Sequence, residues 1–288
     1  MVENVLNIGV VNFPTNWGDK EKNLENIEKY IVEAGEKGVE MLVFPETCLC
    51  GYDYDEEVDI HEKLAESLDG ESVSRIKKHA QKYNMYVIFG FSELVENSVY
   101  NSAAIVFPNG ETDVYRKIHL PFDEKKWAIC GDEPKLFETK WGKVGVTICY
   151  DTYCFPELIR YYRAMGARLV LNVTACPDNA CTMGAATLSL PAYSFINYVY
   201  IASANLCGQE KYSHFSGGSC VVMPDETKGG VKTVIGTFFG EKGSDTVGLF
   251  NGVIDLTLAD KNTDIPIYDG DFRAEKYAEL YDFVAKNK

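Results

Sequence analysis

The chain contains 288 residues, of which 46% are hydrophobic and 25% charged, and its formal net charge is -15. A chain of this length can bury a sizeable core in one large domain or in two small ones. Its acidic balance argues against binding to nucleic acid or anionic lipid, because both need a basic surface. The first residues form no basic segment, and no run of 18 apolar residues occurs, so neither a signal peptide nor a membrane span is expected. We therefore expect a cytoplasmic protein.

The cysteines also limit the function. Nine occur, an odd number, and none of them forms a Cys-x-x-Cys pair. This spacing argues against a disulfide framework and against a structural zinc site. We expect most of the thiols to be reduced and buried, and we expect no metal.

Strand-like and helix-like segments alternate at the start of the chain. The predicted elements are a strand at 5–13, a helix that begins after Asp19 and ends at Gly35 or Gly38, a strand at 39–44, a helix at 72–83 and a strand at 85–91. Asp19 is expected to cap the first helix, whose apolar residues recur every three or four positions. The unbroken apolar stretch 41–44 is typical of a strand that is buried on both faces.

The rest of the chain is richer in strands. The predicted elements are a hairpin of strands 102–107 and 112–118, a hairpin of strands 135–139 and 143–149, a helix at 155–165, a strand at 168–173, a helix at 184–197, a strand at 198–204, and late strands at 219–223, 231–236 and 246–256. A terminal helix at 271–286 is expected to lie against the body or against a partner subunit. This order predicts helices that cover two mixed sheets in one domain, residues 1–288.

Three reactive side chains are predicted at the ends of strands. Glu46 follows Pro45, and proline ends a central strand because it cannot donate to the sheet. Lys117 lies at the end of the first hairpin, and Cys149 ends the apolar run 144–148. Ligands of α/β proteins bind outside the carboxyl ends of the strands, so these positions are candidates for a shared site. For Cys149 alone, the alternative is a small buried hydrophobic residue.

The segments around Glu46, Lys117 and Cys149 together resemble the nitrilase (carbon–nitrogen hydrolase) superfamily, whose signature is a Glu, Lys and Cys triad in this order. The resemblance covers residues 5–218. It implies an α/β (α+β) fold, a four-layer αββα sandwich, which packs into a homodimer or a higher homo-oligomer. It also implies a small-molecule amide as substrate and no cofactor.

The triad explains how a thiol can attack an amide. A free thiol is only a few per cent thiolate at neutral pH, so it needs a base or a nearby cation. Glu46 can supply the base and later protonate the departing amine. Lys117 can favour the thiolate and then stabilise the oxyanion, for which the backbone N–H of Tyr150 is a second donor.

Further site residues are predicted around the triad. Glu124 is similar to the second glutamate of amidase branches, which helps to hold the lysine and the substrate, and its alternative is a solvated charge. Tyr52 stands where the family often has a pocket tyrosine. Trp127 is expected either to wall the acyl pocket or to lie at an interface. Asn172 is expected either to line the pocket or to end its strand, and Tyr150 is expected to contact the substrate.

The residues after the nucleophile favour one branch of the family. The pair Tyr150-Asp151 is typical of amidases, whereas true nitrilases have Trp-Glu. Amide hydrolysis is therefore the first hypothesis, and an N-carbamoyl amino acid or amine is the nearest alternative, with nitriles behind it. The chain departs from the family at 193–197, where Tyr193 and Ile196 stand in place of the usual arginine and glutamate.

Two readings from other classes stay open. A Cys–His hydrolase needs one of the four histidines beside the thiol, and none of them lies in a recognisable motif. A non-catalytic binding protein on the same fold would be expected to lose a member of the triad, and none is lost.

Overall fold

The computed structural model describes residues 2–182, 184–225, 227–260 and 272–287, and β-strands form its centre. The strands are β1 Val5–Asn12, β2 Met41–Val43, β3 Tyr86–Val95, β4 Ser98–Val106, β5 Thr112–Arg116, β6 Lys135–Thr139, β7 Gly142–Ile148, β8 Leu169–Thr174, β9 Tyr200–Asn205, β10 Cys207–Gln209, β11 His214–Ser216, β12 Cys220–Pro224, β13 Val231–Gly236 and β14 Gly248–Asp255. They form two sheets of six strands, and β10 and β11 form a separate short hairpin.

Helices of very different lengths connect these strands. They are α1 Lys20–Glu36, α2 Ile60–Leu64, α3 Glu71–Tyr83, α4 Glu124–Trp127, α5 Tyr150–Cys154, α6 Pro156–Ala164, α7 Asp178–Thr182, α8 Ala185–Asn197 and α9 Ala274–Lys286, with a 3-10 turn at Leu256–Ala259. No helix of the described part combines the length and the apolar character that a membrane span requires.

Each large sheet has parallel strands at its centre. The first sheet has the order β14-β1-β2-β3-β4-β5, with β1, β2 and β3 parallel. Because β4 runs antiparallel to β3 and β5 runs antiparallel to β4, β5 points the same way as β2. The second sheet has the order β13-β12-β9-β8-β7-β6, with β7, β8 and β9 parallel. The carboxyl ends of the parallel strands therefore meet at one edge of each sheet.

The side chains of β2 show how the layers form. Met41 and Val43 belong to the core that is shared with the second sheet, whereas Leu42 packs with α1 and α3, as does Phe44 directly after the strand. On the far side of the second sheet, residues of α6 and α8 join the shared core. Successive residues of a strand point to opposite faces, so both faces of β2 are buried, as the apolar run predicts. The predicted four-layer αββα sandwich is confirmed.

The first helix agrees closely with its prediction. The Asp19 side chain accepts a hydrogen bond from the backbone N–H of Lys22 at 3.2 Å. The apolar stripe, including Leu24 and Ile31, is buried against the first sheet. Gly38 follows the end of the helix with φ +69°, a left-handed conformation that glycine adopts without strain.

Other boundaries differ from their predictions for local reasons. The predicted helix at 155–165 corresponds to α6, which begins at Pro156, a residue suited to a first helical position, whereas the short helix α5 before it was not predicted. The terminal helix α9 has no buried residue, and it meets the body through the Tyr281 hydroxyl, which donates to Glu157 at 2.6 Å. Position 271 of the predicted terminal helix lies outside the described residues.

Candidate active site

Three strand ends place their polar side chains at one point between the two sheets. Glu46 follows β2, Lys117 follows β5 and Cys149 follows β7. The backbone N–H of Ala175, just past β8, donates to Glu46 Oε2 at 2.8 Å, so the first sheet meets the second here. The side chains of Glu46 and Lys117 are fully buried. The structure thus brings the sequence-predicted residues of two different sheets together.

One ammonium group lies between two carboxylates. Lys117 Nζ donates to Glu46 Oε1 at 2.7 Å and to both carboxylate oxygens of Glu124 at 2.7 and 2.9 Å. Glu124 is only 4% exposed, which excludes the alternative that it is a solvated surface charge. Buried charges are tolerated when they are paired and hydrogen-bonded, and this cluster meets both conditions.

Asn101 joins the two carboxylates from a second side. Its Nδ2 donates to Glu46 Oε1 at 2.7 Å and to Glu124 Oε2 at 3.0 Å, and its backbone carbonyl accepts from the N–H of Lys117. This residue is not predicted from the sequence, because the predicted strand begins one position after it. Its only sequence signal is an amide side chain among the apolar and small residues of β4.

The charges of the cluster shift the pKa values of its members. Burial opposes the charged form of Lys117, but Glu124 and Glu46 outweigh burial and raise the pKa of the ammonium group. Burial, together with the negative charge of Glu46, raises the pKa of Glu124 to about 7, although Lys117 acts in the opposite direction. Two carboxylates that share one cation cannot both be fully compensated, so one of them holds its proton more tightly.

Cys149 lies at a sharp turn between β7 and α5. Its backbone has φ +48° and ψ -101°, a conformation that is unfavourable for a residue with a side chain. Its backbone N–H donates to the carbonyl of Val173 at 3.0 Å, which fixes the turn against β8. Because Tyr150 is the first residue of α5, its N–H has no partner within the helix and is available beside the thiol. Strained backbone of this kind is often concentrated at functional sites.

The thiol needs a base in order to react. Burial raises the pKa of Cys149 well above its ordinary value, and the negative charge of Glu46 adds to this, whereas Lys117 and a hydrogen bond with Thr174 act against it. The resting group is therefore the thiol. Glu46 lies close enough to affect this pKa and is held by three donors, so its geometry suits a proton acceptor.

Asn172 does not lie where either alternative placed it. It is within β8, which continues to Thr174, and it does not line the cavity beside Cys149. Its Oδ1 accepts from the backbone N–H of Cys149 at 3.2 Å and from the hydroxyl of Thr152 at 2.7 Å. The prediction that it contacts the substrate is therefore corrected: Asn172 supports the turn from behind, because all of its polar atoms are used by the protein.

Asp151 connects the cysteine segment to the lysine segment. Its buried carboxylate accepts from the hydroxyl of Tyr115 at 2.6 Å and from the backbone N–H groups of Ile118 and His119 at 3.3 and 2.9 Å. The side chain of His119 also lies 2.8 Å from this carboxylate. These bonds hold Ile118 and His119, which follow Lys117, at a fixed distance from Asp151, which lies two positions after Cys149.

A cavity of about 610 Å³ opens onto the thiol. Its walls include Cys149, Glu124 and the aromatic side chains of Tyr52, Trp127, Tyr150 and Tyr153. The Tyr52 hydroxyl donates to Glu124 Oε1 at 3.0 Å, and the Trp127 ring stacks on His61 with ring centroids 3.9 Å apart. The structure therefore brings Tyr52, Trp127 and Tyr150 to the cavity, and it places Trp127 in the wall.

The histidines are engaged away from the thiol. His61 lies beside Cys50 and Ser92, and burial lowers its pKa to about 4. His119 pairs with Asp151. His79 lies 3.5 Å from Glu28, and His214 lies 2.7 Å from Asp178. These positions do not support the Cys–His alternative.

Among the described residues, no group of three or more His, Cys, Asp or Glu side chains is placed to hold a metal ion.

The segment that departs from the family has its own contacts. The Tyr193 hydroxyl donates to the backbone carbonyl of Tyr153, a cavity residue, at 3.2 Å. The side chain of Asn197 donates to the carbonyl of Tyr193 at 2.9 Å. Ile196 is 45% exposed, on the outer face of α8. This helix therefore supports the cavity wall from behind through Tyr193, and its outer face is apolar at position 196.

Comparison with known proteins identifies the family of this chain. The family model for the carbon–nitrogen hydrolases matches residues 7–227. A protein named nitrilase from Pyrococcus abyssi is 33% identical over 207 residues, which are 72% of this chain and 77% of the relative. An omega-amidase from Xenopus laevis is 31% identical over 285 residues, 93% of this chain and 94% of the relative.

Solved structures show the same fold. An amidase from Nesterenkonia aligns with a TM-score of 0.77 and 26% identity over 96% of this chain and 99% of the other. A branch 10 member of the nitrilase superfamily from Saccharomyces cerevisiae aligns with a TM-score of 0.79, 23% identity and coverage of 91% and 94%. The chain therefore belongs to the carbon–nitrogen hydrolase family, and it is an enzyme that acts on carbon–nitrogen bonds other than peptide bonds.

Proposed function

We propose that this enzyme hydrolyses the amide bond of a small molecule through a thioester on Cys149 and releases ammonia or an amine. The observation that carries this proposal is the position of Glu46, whose carboxylate is held by Lys117, Asn101 and the N–H of Ala175 beside a buried thiol. In this proposal Glu46, Lys117 and Cys149 are catalytic, and Glu124 holds the lysine.

The first half of the reaction forms the thioester. Glu46 accepts the thiol proton while the sulfur attacks the carbonyl carbon of the amide, and the carbonyl electrons move onto oxygen. Lys117 and the backbone N–H of Tyr150 stabilise this oxyanion. Glu46 then gives its proton to the amide nitrogen, the carbon–nitrogen bond breaks, and ammonia or the amine leaves.

The second half of the reaction releases the acid. Glu46 takes a proton from a water molecule, and the resulting hydroxide attacks the thioester carbon. The carbon–sulfur bond breaks, the acid leaves, and Glu46 returns a proton to the sulfur of Cys149. The same carboxylate thus acts as base and acid in both halves, which requires it to be oriented by several donors.

The alternatives differ in the group that is presented to the thiol. An N-carbamoyl compound would give a carbamoyl thioester, and a nitrile would give a thioimidate at the same sulfur. The relative from Xenopus laevis is named an omega-amidase, which supports the amide, and Tyr150-Asp151 favours it as well. A non-catalytic binding protein would retain the cavity without turnover.

Ammonia release tests the proposal directly. We expect wild-type enzyme to hydrolyse simple aliphatic amides faster than N-carbamoyl amino acids and nitriles, and we expect Cys149→Ala to lose this activity. The exposed Cys130 provides a matched control, and Cys130→Ala should retain the wild-type rate. Mass spectrometry of wild-type enzyme that is quenched during turnover should detect the acyl group on Cys149, and Glu46→Gln should not form it, because glutamine cannot accept the thiol proton. Amide turnover by Cys149→Ala would contradict the proposal, and binding of amides without turnover by the wild type would favour the binding protein.

We also propose the domain organisation, location, cofactor requirement and oligomeric state of the protein. Residues 1–288 form one domain, the location is cytoplasmic, and the enzyme works without a cofactor. It forms a homodimer or a higher homo-oligomer, because apolar side chains on the outer faces of α6 and α8 are exposed.

A further inference from the structure

The cavity has a distinct charge and composition. Three carboxyl-bearing residues, Asp53, Asp123 and Glu124, line it, and no lysine or arginine occurs among the described lining residues. Lys117, at the base, lies 2.7 Å from both of its glutamates, and in the proposed reaction it faces the oxyanion and not the far end of the acyl group. A substrate carboxylate would therefore lose its water shell beside groups of its own charge.

The ammonium groups near the mouth of the cavity are also occupied. Lys126 Nζ lies 3.0 Å from Asp123 and 5.4 Å from the ring centroid of Tyr54. Lys211 forms an ion pair with Asp55. To bind a substrate carboxylate, either lysine would have to share its ammonium group with the carboxylate that it already pairs with.

Phe122 is the most unusual residue of the rim. Its side chain is 89% exposed, and its backbone has φ +40°, which is unfavourable for a bulky residue. It lies between Pro121 and Asp123, both of which also line the cavity, and the N–H of Glu124 donates to the carbonyl of Pro121 at 3.0 Å. An exposed aromatic ring on a strained, anchored turn has no role in the core, so its position at the mouth points to contact with a ligand.

We propose that the substrate is an uncharged amide whose acyl group is apolar or aromatic, and that Phe122 determines this specificity by covering the far end of the acyl group. The inference rests on the proposed amide hydrolysis and names its substrate class. The aromatic walls of Tyr52, Tyr150 and Tyr153 continue from the thiol, so an apolar acyl group would bury its surface along its whole length.

The test compares amides that differ in the length of the acyl group and in the charge at its far end. The probes are acetamide, hexanamide, 3-phenylpropanamide and the monoamide of glutaric acid, which carries a carboxylate where hexanamide has an apolar end. We expect kcat/KM for hexanamide to exceed that for the monoamide by about tenfold or more, and 3-phenylpropanamide to be better still.

Variants separate the two parts of the inference. Phe122→Ala should lower the ratio of kcat/KM for 3-phenylpropanamide to that for acetamide by about tenfold, because the phenyl ring of the substrate loses its apolar cover. Asp123→Lys should raise kcat/KM for the monoamide relative to hexanamide by about threefold. Val253 is an exposed apolar residue of β14 away from the cavity, and Val253→Ala should keep both wild-type ratios.

The outcomes distinguish this inference from the proposed function. Preference for the monoamide over hexanamide would overturn the inference and leave amide hydrolysis intact. A Phe122→Ala variant that changes the mass of the oligomer but not the substrate ratio would also overturn it, since the ring would then serve an interface. Failure of wild-type enzyme to hydrolyse any of the four amides would overturn both.

Discussion

Two carboxylates share one ammonium group at the base of the cavity, and the neutral amide of Asn101 supplies one further donor to each of them. A second cation at this position would bind Glu46 more strongly and weaken it as a base. A third carboxylate would add repulsion within a buried cluster. An amide avoids both effects, because it donates one hydrogen bond to each glutamate without changing the net charge. Asn101 therefore acts as a positioning residue for Glu46 and Glu124.

The raised pKa of Glu124 predicts a specific dependence of stability on pH. Its carboxyl group has an ordinary pKa of 4.5 and a pKa of about 7 in the folded protein. The folded state therefore holds the proton more tightly, and the resulting stability is complete below pH 4.5 and is lost as the pH rises through 7. Glu124→Gln removes this contribution, because glutamine does not titrate.

Urea unfolding at pH 4.5 and pH 7.5 measures the difference. Between these values, the free energy of unfolding of the wild type should fall relative to Glu124→Gln by up to about 3 kcal/mol. The exposed Glu133 offers a matched control, and Glu133→Gln should follow the wild-type curve. If wild type and Glu124→Gln lose stability in parallel, the assignment of the raised pKa to Glu124 is wrong.

At the scale of elements, sequence patterns predict the strands and long helices but not the short connections. The apolar stripe of α1 and the run that becomes β7 are long enough to show their periods. The five residues of α5 are too few to show a period, so no helix was predicted there. The position of Glu46 after β2 could be predicted from Pro45. The bonds from Asn101 depend on how β4 packs across the site, which no local pattern contains.

The contact between β3 and the Glu46 segment gives a prediction at this scale. A Cβ atom on Gly90 would lie 2.4 Å from the backbone nitrogen of Thr47 and 2.5 Å from the Cα atom of Glu46. Neither backbone atom can move without displacing the proposed base. We expect Gly90→Ala to destabilise the fold by about 1–3 kcal/mol and to lower kcat by about 100-fold.

Thermal unfolding and steady-state kinetics check this expectation. Gly252 in β14 is a suitable control, because a Cβ there would meet only the Ile235 side chain, at 3.1 Å. Gly252→Ala should change kcat by less than about twofold. Wild-type kcat in a folded Gly90→Ala variant would show that the packing of β3 does not fix Glu46.

At the scale of the whole molecule, the two outer helix layers differ. The α1 helix is amphipathic and turns its charged face outward, whereas α8 exposes Leu188, Phe195 and Ile196. Phe195 and Ile196 follow Leu188 by seven and eight positions, so the three residues lie on the same side of the helix. Tyr161 of α6 adds a further exposed apolar side chain. An apolar face of this kind is typical of a surface that is covered by another subunit.

The apolar face of α8 predicts an oligomer that introduced charges would dissociate. If two copies pack through α8 in an isologous interface, each charge introduced on the helix enters the interface twice. Sedimentation equilibrium should give the wild type at least twice the 32.2 kDa mass of one chain, and Leu188→Asp with Phe195→Asp should shift the protein to the monomer mass. Val253→Asp places the same charge on the exposed edge strand β14 and should leave the wild-type mass unchanged. If the double variant keeps the wild-type mass while Val253→Asp becomes a monomer, the subunits meet through the sheet edge, because only a charge that is buried between subunits opposes their association.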